Sequence, residues 1–329
     1  MSTINFKIVI HTLGMLLLFI GAFMIFPIIT SYYYNESVTL ELTLSLIVTI
    51  FTGLIIMFST QKHDKNIAQR EGYLIVTLGW LSMVITGMLP YVFTKMIPEF
   101  SNAFFETMSG YTTTGASILN DIEAMPKSIL LWRSLTHWIG GMGIIVLTVA
   151  ILPLFGIGGM QLFNAEAPGP SADKLKPRIA DTAKRLWLIY FIYTIVESLL
   201  LKWAGMGYFD AINHALSTLS TGGFSTKNDS IAFWNDAPLI QYIIILFMFL
   251  AGTNFVMSYF AFKLNFKKIW QNEEFRWFLS FVVVFSTITA VFIYLKADLD
   301  MNSIPHPRVI GELESAVRHA LFQVLAVVT

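Results

Sequence analysis

The sequence predicts an all-α integral membrane protein of about seven spanning helices plus re-entrant half-helices, in span–half-helix–span repeats. Three observations carry that expectation: too few charges for a chain in water, seven apolar stretches of membrane-crossing length, and a similar segment recurring at a spacing near 108 residues. Of 329 residues, 13% are charged and 55% hydrophobic, and 21 Lys plus Arg balance 21 Asp plus Glu. A soluble domain carries roughly 25% charged residues, so lipid is the better solvent for this composition and an enzyme working in water is disfavoured. Zero net charge argues against a nucleic-acid partner, which selects a basic surface. With no cysteine, the chain has neither disulfides nor a thiolate metal site.

A membrane-spanning helix needs about 20 mostly apolar residues. The stretches 8–30, 42–60, 72–94, 128–153, 185–204, 238–262 and 276–296 qualify. The first reads as a retained helix and not a cleaved signal. Only Lys7 precedes it, it exceeds the usual h-region of about 7–15 residues, and no A-x-A-like cleavage site follows.

Alternation of the intervening segments places Lys7, Lys62, Lys65, Arg70, Lys174, Lys176, Arg178, Lys184, Arg185, Lys263, Lys267, Lys268 and Arg276 on one side, 13 cations against eight on the other. The positive-inside rule then puts the N-terminus in the cytoplasm and the loops 95–127, 205–237 and 297–329 outside. Thirteen acids share the outer side with those eight cations, a balance of about −5, and such a mouth concentrates cations before entry.

Each outer loop carries an apolar stretch too short to span: Phe100–Tyr111, Tyr208–Leu219 and Ser315–Val328. Ten to fourteen helical residues reach only about 15–21 Å, against a hydrocarbon core of about 30 Å. A re-entrant half-helix followed by irregular backbone satisfies both lengths, provided that backbone lines a cavity or is buried in protein. The stretches align on Ala103, Ala211 and Ala320, and nine residues after each comes a hydroxyl: Thr112, Ser220 and Thr329.

The segments Thr112-Thr113-Thr114-Gly115 and Ser220-Thr221-Gly222-Gly223 hold what a dehydrated cation requires. Glycine frees backbone carbonyls to turn toward one axis, and hydroxyls add oxygen ligands without fixed charge. Rings of such oxygens replace the hydration shell of a monovalent ion, as in potassium channels. A divalent-ion site calls for carboxylates, and residues 112–117 and 220–226 contain none.

These residues resemble the Trk/Ktr/HKT superfamily of potassium transporters, and within it the bacterial TrkH branch. The similarity rests on Ala-Phe-Phe-Glu-Thr-Met-Ser-Gly-Tyr-Thr-Thr-Thr-Gly-Ala (103–116), Trp-Arg-Ser-Leu-Thr-His-Trp-Ile-Gly-Gly-Met-Gly-Ile (132–144) and Ala-Leu-Ser-Thr-Leu-Ser-Thr-Gly-Gly-Phe-Ser-Thr (215–226). The resemblance implies four pore repeats around one potassium path, two extra N-terminal helices, and one glycine per filter, here Gly115 and Gly223. Glycine in the first filter is the pattern this superfamily associates with potassium over sodium. It implies a non-enzymatic membrane subunit that needs no cofactor, pairs as a homodimer in the bacterial inner membrane and works with a cytosolic nucleotide-binding regulatory subunit.

On that pattern the chain divides into an N-terminal helix pair (1–71), a first pore repeat (72–153), a cytoplasmic loop (154–184), a second pore repeat (185–262) and a partial third (263–329). It reaches only the first position of the third filter, Thr329, and is expected to be a fragment of a longer protein. The rival readings are a non-conducting truncated form and a solute carrier with discontinuous helices, which would aim half-helix N-termini at an anionic substrate. Of the remaining residues, Glu197 lies within a span, where a carboxylate is a functional candidate by default, or else, as is expected here, a structural partner of His214 or Lys202. His137 and Gly140 read as packing, and the cations of 154–184 read as topology signals or a docking surface.

Overall fold

The computed structural model describes residues 4–61, 69–141, 143, 179–295 and 313–329, and all regular structure among them is helical. Among the described residues, five helices are long and apolar enough to cross a membrane: Phe6–Tyr33, Thr39–Ser59, Arg70–Phe93, Lys184–Trp203 and Glu273–Tyr294. A shorter apolar helix covers Pro238–Gly252. The chain forms two compact units, Met1–Leu188 and Ile189–Thr329.

In the first unit α1 (Phe6–Phe23) starts at Asn5, whose side chain accepts from the Ile8 N–H. The first span then breaks at Met24 and resumes as α2 (Ile25–Tyr33). Pro27 has no N–H to give to the carbonyl four residues back, Phe23, and the ladder ends there. The same device divides the third span into α4 (Gln69–Gly87) and α5 (Leu89–Phe93), with Pro90 just past the break. The Gly87 carbonyl takes the Trp132 indole N–H at 2.8 Å. Between them α3 (Thr39–Ser59) crosses α1 at a pair of glycines, where a Cβ on Gly14 would lie 3.0 Å from the Gly53 carbonyl. Small residues let helices approach in lipid, where apolar burial offers no net driving force. Some hydroxyls inside these spans bond their own backbone: Thr12 donates to Ile8 O and Thr49 to Ser45 O, each at 2.8 Å.

The first short apolar stretch forms α6 (Phe100–Tyr111), which packs against α7 (Lys127–Gly141). The beginning of α7 is capped from a distance. Glu36 accepts the Lys127 N–H at 2.6 Å and the Ser128 N–H at 3.3 Å, and also takes the Ser128 hydroxyl. A carboxylate there serves both the orphan N–H groups and the positive end of the helix dipole. Only this first part of the expected span 128–153 falls within the described residues, and most of the loop 154–184 lies outside them. Its last residues, from Ile179, are already helical.

In the second unit, α8 (Ile179–Trp203, from Ile189 onward) leads into the short α9 (Tyr208–Leu219). A 3-10 turn (Ser230–Trp234) and α10 (Pro238–Gly252) follow. The expected span 238–262 is not one helix. Gly252 ends α10, Thr253 is extended (φ −81°, ψ 148°), and α11 (Phe255–Phe262) starts afresh. Gly-Thr-Asn at 252–254 joins the weakest helix former short of proline to two residues whose side chains compete for the backbone, and the Thr253 hydroxyl indeed donates to Leu250 O at 2.7 Å. After α12 (Phe266–Gln271), Asn272 caps α13 (Glu273–Tyr294) by accepting the Phe275 N–H at 2.8 Å, with Glu273 and Glu274 in the first turn. The third short stretch forms α14 (Leu313–Val328), beginning two residues before the sequence places it, and packs against α10 and α13.

Replacing Glu36 with alanine strips the cap from α7 without touching a span. The expected cost is about 0.5–2 kcal/mol, the usual worth of a helix cap, read as a lower thermal midpoint of the purified protein.

Candidate functional site

Both complete copies of the repeated segment close their half-helix in the same way. At the end of α6 the Thr113 N–H donates to Gly110 O at 3.1 Å and the Thr114 N–H to Ser109 O at 3.0 Å. At the end of α9 the Thr221 N–H donates to Thr218 O at 2.9 Å and the Gly222 N–H to Ser217 O at 3.0 Å. These paired bonds make a Schellman closure, which needs a left-handed residue just past the cap. That residue is a threonine in each copy, with φ 54° at Thr113 and at Thr221. A β-branched residue there is strained, and glycine is the usual occupant. Two residues on, Gly115 (φ 75°) and Gly223 (φ 87°) turn the chain again. A Cβ on Gly223 would meet nothing within 4 Å, so backbone conformation and not crowding selects glycine there.

The aligned hydroxyls share one orientation across all three copies. Thr112 donates to Met108 O at 2.7 Å, Ser220 to Leu216 O at 2.9 Å and Thr329 to Leu325 O at 2.8 Å. With its hydrogen turned back into the helix, each hydroxyl presents its acceptor side outward, and that of Thr112 also receives the Thr114 hydroxyl at 2.9 Å. Thr329 also has its N–H on Leu325 O, as Thr112 has on Met108 O.

Behind the first segment stands a buried ion pair that the sequence reading does not identify. Glu106, 0% exposed, accepts from Arg133 Nε at 2.6 Å. It also takes the Ser117 hydroxyl and the Ile118 N–H, both at 3.0 Å. Arg133 is 2% exposed. Glu106, in the outer loop 95–127, and Arg133, near the outer end of the stretch 128–153, are among the thirteen acids and eight cations of the outer side, yet neither meets solvent. Removing one of each sign leaves the outer balance at about −5. The available signal was an arginine alone within the stretch 128–153 and a glutamate on an apolar half-helix.

Close backbone contact explains the small residues near the site. A Cβ on Gly140 of α7 would collide with the Tyr111 carbonyl, and one on Gly252 would strike the Thr329 side chain. His137 is fully buried, in keeping with a packing role. Glu197 is also fully buried, but its expected partners are engaged elsewhere. His214 bonds Ser225, the Lys202 ammonium lies 4.2 Å over the Tyr208 ring, and Thr218 of α9 is the hydroxyl facing Glu197. In α14, Arg318 bonds Glu314 at 2.9 Å and also reaches Gln241 of α10. Arg318, followed by the Tyr242 hydroxyl, holds the Glu314 carboxyl below its ordinary pKa.

Apolar crossing helices and half-helices that end in matched, strained turns define a multi-pass α-helical membrane protein with re-entrant segments. Residues 38–329 match the family model TrkH, described as a cation transport protein, and the chain belongs to that family. It is 39% identical over 307 residues to the Trk system potassium uptake protein TrkH of Escherichia coli (strain K12), covering 91% of this chain and 63% of that one. It is 34% identical over 330 residues to the protein of the same name from Halomonas elongata, covering 99% and 65%. The crystal structure of the potassium transporter TrkH from Vibrio parahaemolyticus superposes with a TM-score of 0.80 at 33% identity, over 98% of this chain and 64% of that one. The chain thus spans just under two thirds of the length of these relatives.

Two stability outcomes follow from this geometry. Glu106→Ala leaves the buried Arg133 without its carboxylate and is expected to destabilise by about 3–5 kcal/mol. Thr113→Gly works in the other direction. It releases about 1–2 kcal/mol of left-handed strain against about 0.5–1 kcal/mol of added chain entropy, so the thermal midpoint holds or rises.

Proposed function

We propose that the chain is a membrane subunit of a bacterial potassium uptake system, conducting K+ along a path lined by Thr112–Gly115, Ser220–Gly223 and Thr329. The carrying observation is the turn repeated in both complete copies, where a back-bonded hydroxyl, a left-handed threonine and a positive-φ glycine follow a half-helix. Its oxygens are uncharged, as suits a monovalent ion that must bind and leave again. The partial negative charge at a helix C-terminus adds to the attraction. Family membership and the names of the relatives support potassium as the ion.

In this reading the subunit sits in the inner membrane with its N-terminus in the cytoplasm, supported by 13 cations on that side against eight. It pairs as a homodimer and answers to a cytosolic nucleotide-binding regulatory subunit. The superfamily resemblance supports both partners, and the relatives' description as part of a system supports the second. A carrier that binds an anionic solute at half-helix N-termini finds less support, because the repeated turns lie at the C-terminal ends of α6 and α9.

The test is rubidium and sodium uptake by cells that lack their own potassium uptake. The protein is expected to restore rubidium uptake and to prefer it to sodium. Gly115→Ser, which puts a side chain at φ 75°, is expected to lower the rubidium-to-sodium ratio about tenfold, or ~1.4 kcal/mol of discrimination. Sodium preference in the unmodified protein, or a ratio untouched by Gly115→Ser, overturns the reading.

A further inference from the structure

Beyond each candidate filter the chain is tied back to its own half-helix, and the two ties are built alike. In the first copy the residue three past Ala103 is Glu106, and the residue two past Gly115 is Ser117. The Ser117 hydroxyl donates to Glu106 and its oxygen accepts the Leu119 N–H at 3.1 Å. In the second copy the residue three past Ala211 is His214, and the residue two past Gly223 is Ser225. His214 Nε2 lies 3.1 Å from Ser225 Oγ, which accepts the Lys227 N–H at 3.0 Å. The bonds run in the same direction. His214 Nδ1 lies 2.8 Å from the Asp210 carbonyl, which has no hydrogen to give, so Nδ1 carries the proton. In the neutral ring Nε2 is then the acceptor, and Ser225 donates as Ser117 does.

The second tie is also held in place from outside. Trp234 meets the imidazole edge-on with ring centroids 5.0 Å apart, and the Thr226 hydroxyl donates to Asp210 Oδ1 at 2.7 Å. The third copy offers the same kind of group, since the residue three past Ala320 is Gln323, whose amide oxygen can accept. The three residues differ in charge, size and shape, and what they share is an acceptor at one point on the half-helix.

We propose that His214 is a positioning residue for the second ion-coordinating segment: by holding the Ser225 hydroxyl it fixes the chain just past Gly223 and so sets the spacing of the oxygens at 220–223 that discriminates one monovalent cation from another. Glu106 does the same for the first segment through Ser117. The proposal rests on the potassium reading above, but its test separates the two.

Rubidium and sodium uptake are measured side by side for the unmodified protein, His214→Gln, His214→Leu, Ser225→Ala and the His214→Leu/Ser225→Ala pair, with the amount of protein in the membrane measured for each. One lost hydrogen bond corresponds to about a three- to tenfold drop in the rubidium-to-sodium ratio. That drop is expected in His214→Leu and in Ser225→Ala, with no further drop when they are combined. His214→Gln restores an acceptor and is expected to stay within about twofold of the unmodified protein, an outcome that a purely structural role for the ring does not give. Ser225→Ala removes a single oxygen, so it keeps the test decisive if His214→Leu does not reach the membrane. An unchanged ratio in Ser225→Ala, or effects that multiply in the pair, overturns the proposal. In parallel, the melting temperature of the purified protein is compared in potassium and in sodium chloride. A potassium-specific shift that Ser225→Ala abolishes, with no rubidium uptake in cells, upholds the tie and overturns the uptake reading alone. No ion-specific shift in the unmodified protein overturns both.

Discussion

A helix that ends inside a membrane must satisfy its last carbonyls without water, and this constraint organises the rest of the structure. At the ends of α6 and α9 it is met by chain reversal, which brings the N–H groups of Thr113 and Thr114, and of Thr221 and Gly222, back onto the helix. Reversal of this kind needs one left-handed residue, and both copies place threonine there despite the strain. The Thr112–Gly115 and Ser220–Gly223 segments proposed to line the ion path begin at this same closure. In the proposed reading, satisfying the backbone and preparing the site are the same act.

Such a turn stays in place only if its surroundings leave it no alternative. Gly140 lets α7 press against the Tyr111 carbonyl with no room for a methyl group. Glu106 gathers Arg133, Ser117 and the Ile118 N–H around one carboxylate. A buried ion pair adds little net stability because its desolvation cancels much of its attraction. Its effect here is geometric, since three donors from α7 and the outer segment converge on one residue of α6. Glu36 acts more remotely, fixing the start of α7 from the loop that joins the first two spans.

The sequence made the half-helices at 100–111 and 208–219 legible because their apolar runs are too short to cross and stop at Thr- and Ser-rich segments. The spans around them were legible for the opposite reason, being long and nearly uncharged. The break at Thr253 was hidden because hydropathy averages over a window, and Gly-Thr-Asn interrupts 238–262 with three residues that hardly change the mean. Pairings across distance left no periodic trace either. Glu106 and Arg133 lie 27 residues apart, and Glu36 and Lys127 lie 91 apart. The Glu197 pairing failed on geometry: His214 already spends both ring nitrogens within its own segment.

The contact between Gly252 and Thr329 has a consequence for how the protein is made. The end of α10 is finished 77 residues (329 less 252) before the threonine that covers it exists. At synthesis rates of about 5–20 residues per second, that glycine waits on the order of 4–15 s for its neighbour. By contrast Gly140 emerges after Tyr111 and can seat at once. The first turn can therefore mature while the ribosome is still working, whereas the flank of the third depends on a delayed docking that a chaperone or the translocon has time to influence.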